Sequence, residues 1–92
     1  MLFLKPINPK TVAVSGAATN FPPMKQAGMF TMQSTVPLFF LITPAGTPAT
    51  ADGAACHYLS GAGSYDLLAN PGDTVSVIAA STAGVAYITE WA

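Results

Sequence analysis

The chain has 92 residues, of which 51% are hydrophobic and only 8% charged, and it contains no arginine. This length holds one hydrophobic core and excludes a second domain; a net charge of −1 and a pI near 5.4 exclude the clustered positive surface that nucleic acid requires. An ordinary soluble domain carries roughly 25% charged residues, so the low charge and a mean hydropathy of +0.47 point to a surface that meets protein rather than water.

Residues 1–9 read as an extended arm. Leu2, Phe3 and Leu4 are too apolar for a free tail, while Pro6 and Pro9 oppose both helix and central-strand pairing. The opening MLFLKPINPK lacks the apolar stretch of roughly 7–15 residues that defines a secretory signal. The arm needs a surface to cover it. A neighbouring subunit or an underlying shell is the expected surface, and the outer side of residues 36–43 of the same chain is the competing one.

Residues 10–92 form the domain proper. Eight glycines and eight prolines leave no window of 11–18 residues with a helical stripe. Between these breaks lie short stretches rich in Val, Ile, Thr, Phe and Tyr, at 11–15, 28–33, 36–43, 55–60, 64–69, 74–80 and 85–91, which predict strands. Such a series predicts an all-β fold, a single small β-sandwich or jelly-roll-like domain behind the N-terminal arm. Residues 36–43 are apolar on both faces, as in a strand covered on both sides. Residues 44–53, PAGTPATADG, have no apolar anchor and read as a surface loop. Ser60-Gly61-Ala62-Gly63-Ser64 is expected to join a hairpin, and Asn70-Pro71-Gly72-Asp73 a type II turn. Val75 and Val77 alternate with Thr74 and Ser76, placing one face of that strand in the core. Residues 81–84 join the last two strands.

Chemistry-bearing residues are sparse. Cys56 is the single cysteine, so no disulfide can form within the chain. It adjoins His57, the only histidine, but neighbours on a strand point to opposite faces and make a poor thiol–imidazole pair. No G-x-S-x-G signature accompanies the serines, and no paired-ligand spacing for zinc or calcium occurs. Gly61–Gly63 lacks the lysine and helix start of a phosphate-binding loop. These patterns predict neither an enzyme nor a bound metal or cofactor. The densest apolar run, 36–42, is far short of the ~18–20 residues that span a bilayer, so no membrane helix is expected.

The aromatic residues are the better functional candidates. Phe39 and Phe40 are adjacent, so one should enter the core and the other should face out. Trp91, one residue from the end of the sequence, belongs to a residue type enriched at interfaces. Leu2, Phe3, Leu4, Pro6, Phe39 and Trp91 are therefore the candidate contact residues. Exposed aromatic rings could instead stack on sugars.

Thr11-Val-Ala-Val-Ser, Phe39-Phe-Leu-Ile-Thr-Pro-Ala-Gly-Thr, Leu68-Ala-Asn-Pro-Gly-Asp, Val75-Ser-Val-Ile-Ala-Ala and the closing Gly84-Val-Ala-Tyr-Ile-Thr-Glu-Trp together resemble small β-sandwich structural proteins of tailed-phage virions, the capsid decoration or cement proteins. The absence of an arginine-bearing middle strand and the proline-rich start depart from that pattern. The resemblance implies a virion protein without catalytic activity, made in the host cytoplasm and attached to the capsid surface, with a major capsid protein as its partner. It also implies that the strand after the Pro-Gly turn pairs with the terminal strand. Low charge and a small core add an expectation of self-association as a homotrimer or homodimer. A tail- or fibre-associated module that binds a carbohydrate or host surface is the alternative.

Overall fold

The computed structural model describes residues 4–46, 51, 56–61 and 63–92. Eight strands follow one another: β1 (Pro6–Val14), β2 (Thr19–Asn20), β3 (Gly28–Ser34), β4 (Leu38–Thr43), β5 (His57–Leu59), β6 (Ser64–Ala69), β7 (Thr74–Ala79) and β8 (Gly84–Trp91). They form two four-stranded antiparallel sheets ordered β1-β8-β3-β6 and β2-β7-β4-β5. We call these the first and second sheets.

The pairs β1·β8, β2·β7, β3·β6 and β4·β5 nest symmetrically about the middle of the chain. They describe one long two-stranded ribbon folded over into two sheets, the jelly-roll arrangement. Apart from β4–β5, every connection crosses from one sheet to the other. This overturns two pairings expected from the sequence. The glycine-rich segment 60–63 leads from β5 in the second sheet to β6 in the first rather than closing a hairpin, and β7 and β8 lie in different sheets. Glycines mark where the chain bends, while the sheet that receives the next strand is decided by how apolar faces are covered.

Alternation places Phe30, Met32, Ala86 and Ile88 of the first sheet against Leu38, Phe40, Val75 and Val77 of the second, all buried. Phe21 and Met24, between β2 and β3, plug one end of this core. The turn at 70–73 has the expected form: Asp73 N–H donates to the Asn70 carbonyl over 3.1 Å, and Gly72 adopts φ 87°, which the third position of a type II turn requires.

The proposed arm needs correction. Residues 6–9 belong to β1, with Pro6 opposite Trp91 and Ile7 opposite Glu90, and Lys5 exchanges two backbone hydrogen bonds with Ala92. The prolines are tolerated because β1 is an edge strand whose outer N–H groups need no ladder partner. A bulge absorbs the remaining misfit, with Asn8 at φ 49° and a register shift between Ile7 and Lys10. Residues 1–3 lie outside the described residues. The outer side of β4 is approached instead by the β4–β5 connection. Ala51 is buried, and its N–H donates to the Oγ of Ser76 over 3.0 Å, opposite Leu41 on the neighbouring strand. The segment read as unanchored thus has an anchor there; residues 47–50 and 52–55 lie outside the described residues.

Candidate functional site

Two surfaces stand out from the strand pattern. The first is the outer face of the first sheet. Its outward positions include Thr11, Met29, Thr31, Asp66, Leu68, Tyr87 and Trp91, and Asp66 is the only charged residue among the outward strand positions of that sheet. Trp91 lies diagonally across from Thr31, and its indole Nε1–H donates to Thr31 Oγ1 over 2.9 Å. That hydroxyl donates in turn to Asp66 Oδ1 over 2.6 Å. The relay ties β8, β3 and β6 together and fixes the half-buried indole against the sheet. Leu68, 79% exposed, and Tyr87, 45% exposed, project from the same face.

The second surface is an open groove of about 340 Å³ between the two sheets, where the edge strands β5 and β6 part. Phe40 and Ile42 form its floor, with His57, Tyr58, Tyr65 and Leu67 around it. His57 occupies an inward register position opposite Phe40, yet it is exposed at the open groove. Its ring lies 5.3 Å from that of Phe40, and the Tyr65 ring meets Phe40 edge-on at 6.2 Å. The Tyr65 hydroxyl donates to the Tyr58 carbonyl over 3.1 Å, linking the sheets at their open side. Apolar walls with two phenol rings and one imidazole suit stacking on a flat ligand better than binding an ion. No group of three or more His, Cys, Asp or Glu placed to hold a metal occurs among the described residues.

Of the six contact residues expected from sequence, Leu2 and Phe3 lie outside the described residues. Leu4 is 45% exposed. Pro6 and Trp91 are brought together as Cα partners. Phe39 lies apart from them, on the outer face of the second sheet, its ring 5.5 Å from that of Tyr58; Phe40 is the core member of the pair. The contact residues therefore divide between opposite faces of the sandwich. Tyr58, Tyr65 and Leu68 were not singled out from the sequence, although β6 carries the weak signal of Tyr and Leu alternating through a short strand.

A third cluster lies inside. Lys10 and Glu90 form a buried ion pair, with side chains 4% and 3% exposed. Glu90 Oε1 also accepts the N–H groups of Lys25 and Gln26 over 3.0 and 3.1 Å, and Lys10 Nζ donates to the Asn8 carbonyl across the bulge. Burial would raise the Glu90 pKa, but the hydrogen bonds and charge of Lys10 and the two backbone donors outweigh it and hold the carboxyl below its usual value. With every polar atom engaged, this pair is structural and offers no free acid or base. No family model, curated protein or solved structure matches the chain.

Proposed function

We propose that this protein is a non-enzymatic structural component of a tailed-phage virion, a decoration or cement protein that binds the head shell and stabilises it. The outer face of the first sheet carries the reading. It combines four strands with a single charged side chain, a tryptophan pinned by hydrogen bonds, and protruding Leu68 and Tyr87. Such a face gains more from contact with protein than with water. The jelly roll serves viral capsid proteins and lectins alike, so function is argued from the surface and not from topology. The resemblance to virion proteins read in the sequence favours the same assignment, with a major capsid protein as the proposed partner and the capsid surface as the proposed location.

Mass spectrometry and electron microscopy of native particles test it. The expected result is this chain in a fixed ratio to the shell subunit, with the first sheet against the shell. Its absence from purified particles, or attachment by another face, overturns the reading. The groove favours a second function, recognition of a carbohydrate on a host surface by a tail-associated module, because Tyr58 and Tyr65 present exposed rings around a cleft. Oligosaccharide titration followed by NMR should then shift the Tyr58 and Tyr65 resonances first; unchanged spectra remove that reading.

A further inference from the structure

A strand at the edge of a sheet exposes unpaired N–H and C=O groups that invite another strand, and proteins normally guard such edges. This sandwich has four. β1 is guarded at residues 6–9 by Pro6, Pro9 and the bulge at Asn8 and, in its regular stretch from Lys10 to Val14, by the inward-pointing charge of Lys10, β2 by its two-residue length and β5 by its three-residue length. β6 is different. Ser64–Ala69 is a regular six-residue strand with no proline, lysine or glycine, paired without interruption to β3. Among the described residues nothing pairs with its other side.

We propose that the free edge of β6 pairs antiparallel with β6 of a second copy of this chain, making a closed two-fold dimer with an eight-stranded sheet. The occupant is a second copy because the other edges are guarded: β6 has no regular edge on a neighbouring molecule to pair with except another β6, and β6 with β6 closes as a dimer rather than growing as a fibre.

The register follows from the side chains. Outward residues Ser64, Asp66 and Leu68 must oppose outward residues, and inward Tyr65 and Leu67 must oppose inward ones, if both copies keep the same face toward solvent. Two registers meet this condition with the fullest overlap. One sets Asp66 against Asp66 of the second copy, a like-charge pair. The other centres the two-fold axis on Leu67 and sets Asp66 opposite Leu68 of the second copy. The second is the register of the dimer. It covers Leu68, 79% exposed in the single chain, and extends the wall of the groove at Tyr65 and Leu67.

Substitutions at Leu68 test this with little risk to the fold, because the side chain is so exposed. Sedimentation equilibrium of the wild-type chain should show a monomer–dimer equilibrium. Leu68→Asp opposes Asp66 of the second copy twice per dimer and should weaken association about tenfold or more. Leu68→Lys places a cation opposite the same carboxylate and should stay within about threefold of wild type or bind tighter. A wild-type chain that stays monomeric at high micromolar concentration overturns the proposal. Equal behaviour of the two variants also overturns it, as do open-ended assemblies. Each of these outcomes leaves attachment to a particle as a separate question, because the particle experiment reads the outer face and not the edge.

Discussion

Lys10 and Glu90 stand 80 positions apart in sequence and meet inside the sandwich, as diagonal neighbours on β1 and β8. Lys10 faces Ile88 across the ladder, two residues before Glu90, so the ammonium reaches the carboxylate along the inner face. The bulge just before Lys10 brings the Asn8 carbonyl to the same nitrogen. The other carboxylate oxygen holds the end of the β2–β3 connection through Lys25 and Gln26. One buried carboxylate thus joins three parts of the chain. Replacing Glu90 with Ala should cost about 3–5 kcal/mol, since it leaves a buried cation without its partner. Lys10→Met combined with Glu90→Leu should recover part of that loss. It should still lie about 1–3 kcal/mol below wild type, because two backbone donors lose their acceptor. Urea unfolding of wild type and the two variants measures the difference.

The same pair sets an acid limit. Glu90 has a folded-state pKa below its ordinary value, so the folded form binds the proton less readily than the unfolded chain does. Its contribution is complete above the unfolded value, roughly pH 4.3, and is lost as pH falls through the lower folded value. Urea midpoints measured from pH 7 down to pH 2 should fall steeply below about pH 4.3 in the wild type. Glu90→Gln should start lower and lose the part of the slope due to this group. A variant with the full wild-type slope would contradict the assignment.

Adjacent Phe39 and Phe40 should respond very differently to truncation. Phe40 is 3% exposed and forms the floor of the groove, so Phe40→Ala should cost about 3–5 kcal/mol. Phe39 is half-buried on the outer face beside Tyr58, and Phe39→Ala should cost about 1–2 kcal/mol, the scale of a partly buried aromatic contact. Equal losses would mean that the strand faces are assigned incorrectly.

Ser76 anchors a connection rather than a strand. It points out of the second sheet, yet it is completely buried, with Ala51 N–H bonded to its hydroxyl. Ser76→Ala should remove about 1–3 kcal/mol of stability by leaving a buried donor without an acceptor. Hydrogen exchange supplies a local check, because the Ala51 amide should lose protection while Val75 and Val77 keep theirs.

Much of the fold was legible as alternation. Val75 and Val77 marked a core face, and Asn70-Pro71-Gly72-Asp73 marked a turn that formed as expected. The start of β1 was hidden because Pro6 and Pro9 argue against a strand in general, and their edge position becomes visible only once β1 lies outside β8. β2 was hidden because two residues carry no period. The ion pair leaves a trace in the sequence: Lys10 continues the inward series of Val12 and Val14, and Glu90 continues that of Ala86 and Ile88. Parity put both charges inside, but only the pairing of β1 with β8 could put them together. The groove was less legible still, because its walls come from three strands in two sheets.

The nested pairing also dictates an order of events during synthesis. β8 lies between β1 and β3 in the first sheet, so those earlier strands have no common neighbour until the ribosome has released Gly84–Trp91. Lys10 waits equally long for its counter-charge. Only β4 and β5 can pair across a short stretch of chain, and the ribbon must then zip outward toward pairings of ever greater sequence separation, a topology that folds in milliseconds to seconds rather than microseconds. A nascent chain stalled before β8 would hold β1 and β3 as two unjoined edges, so β8 is the strand that turns this sandwich into a domain.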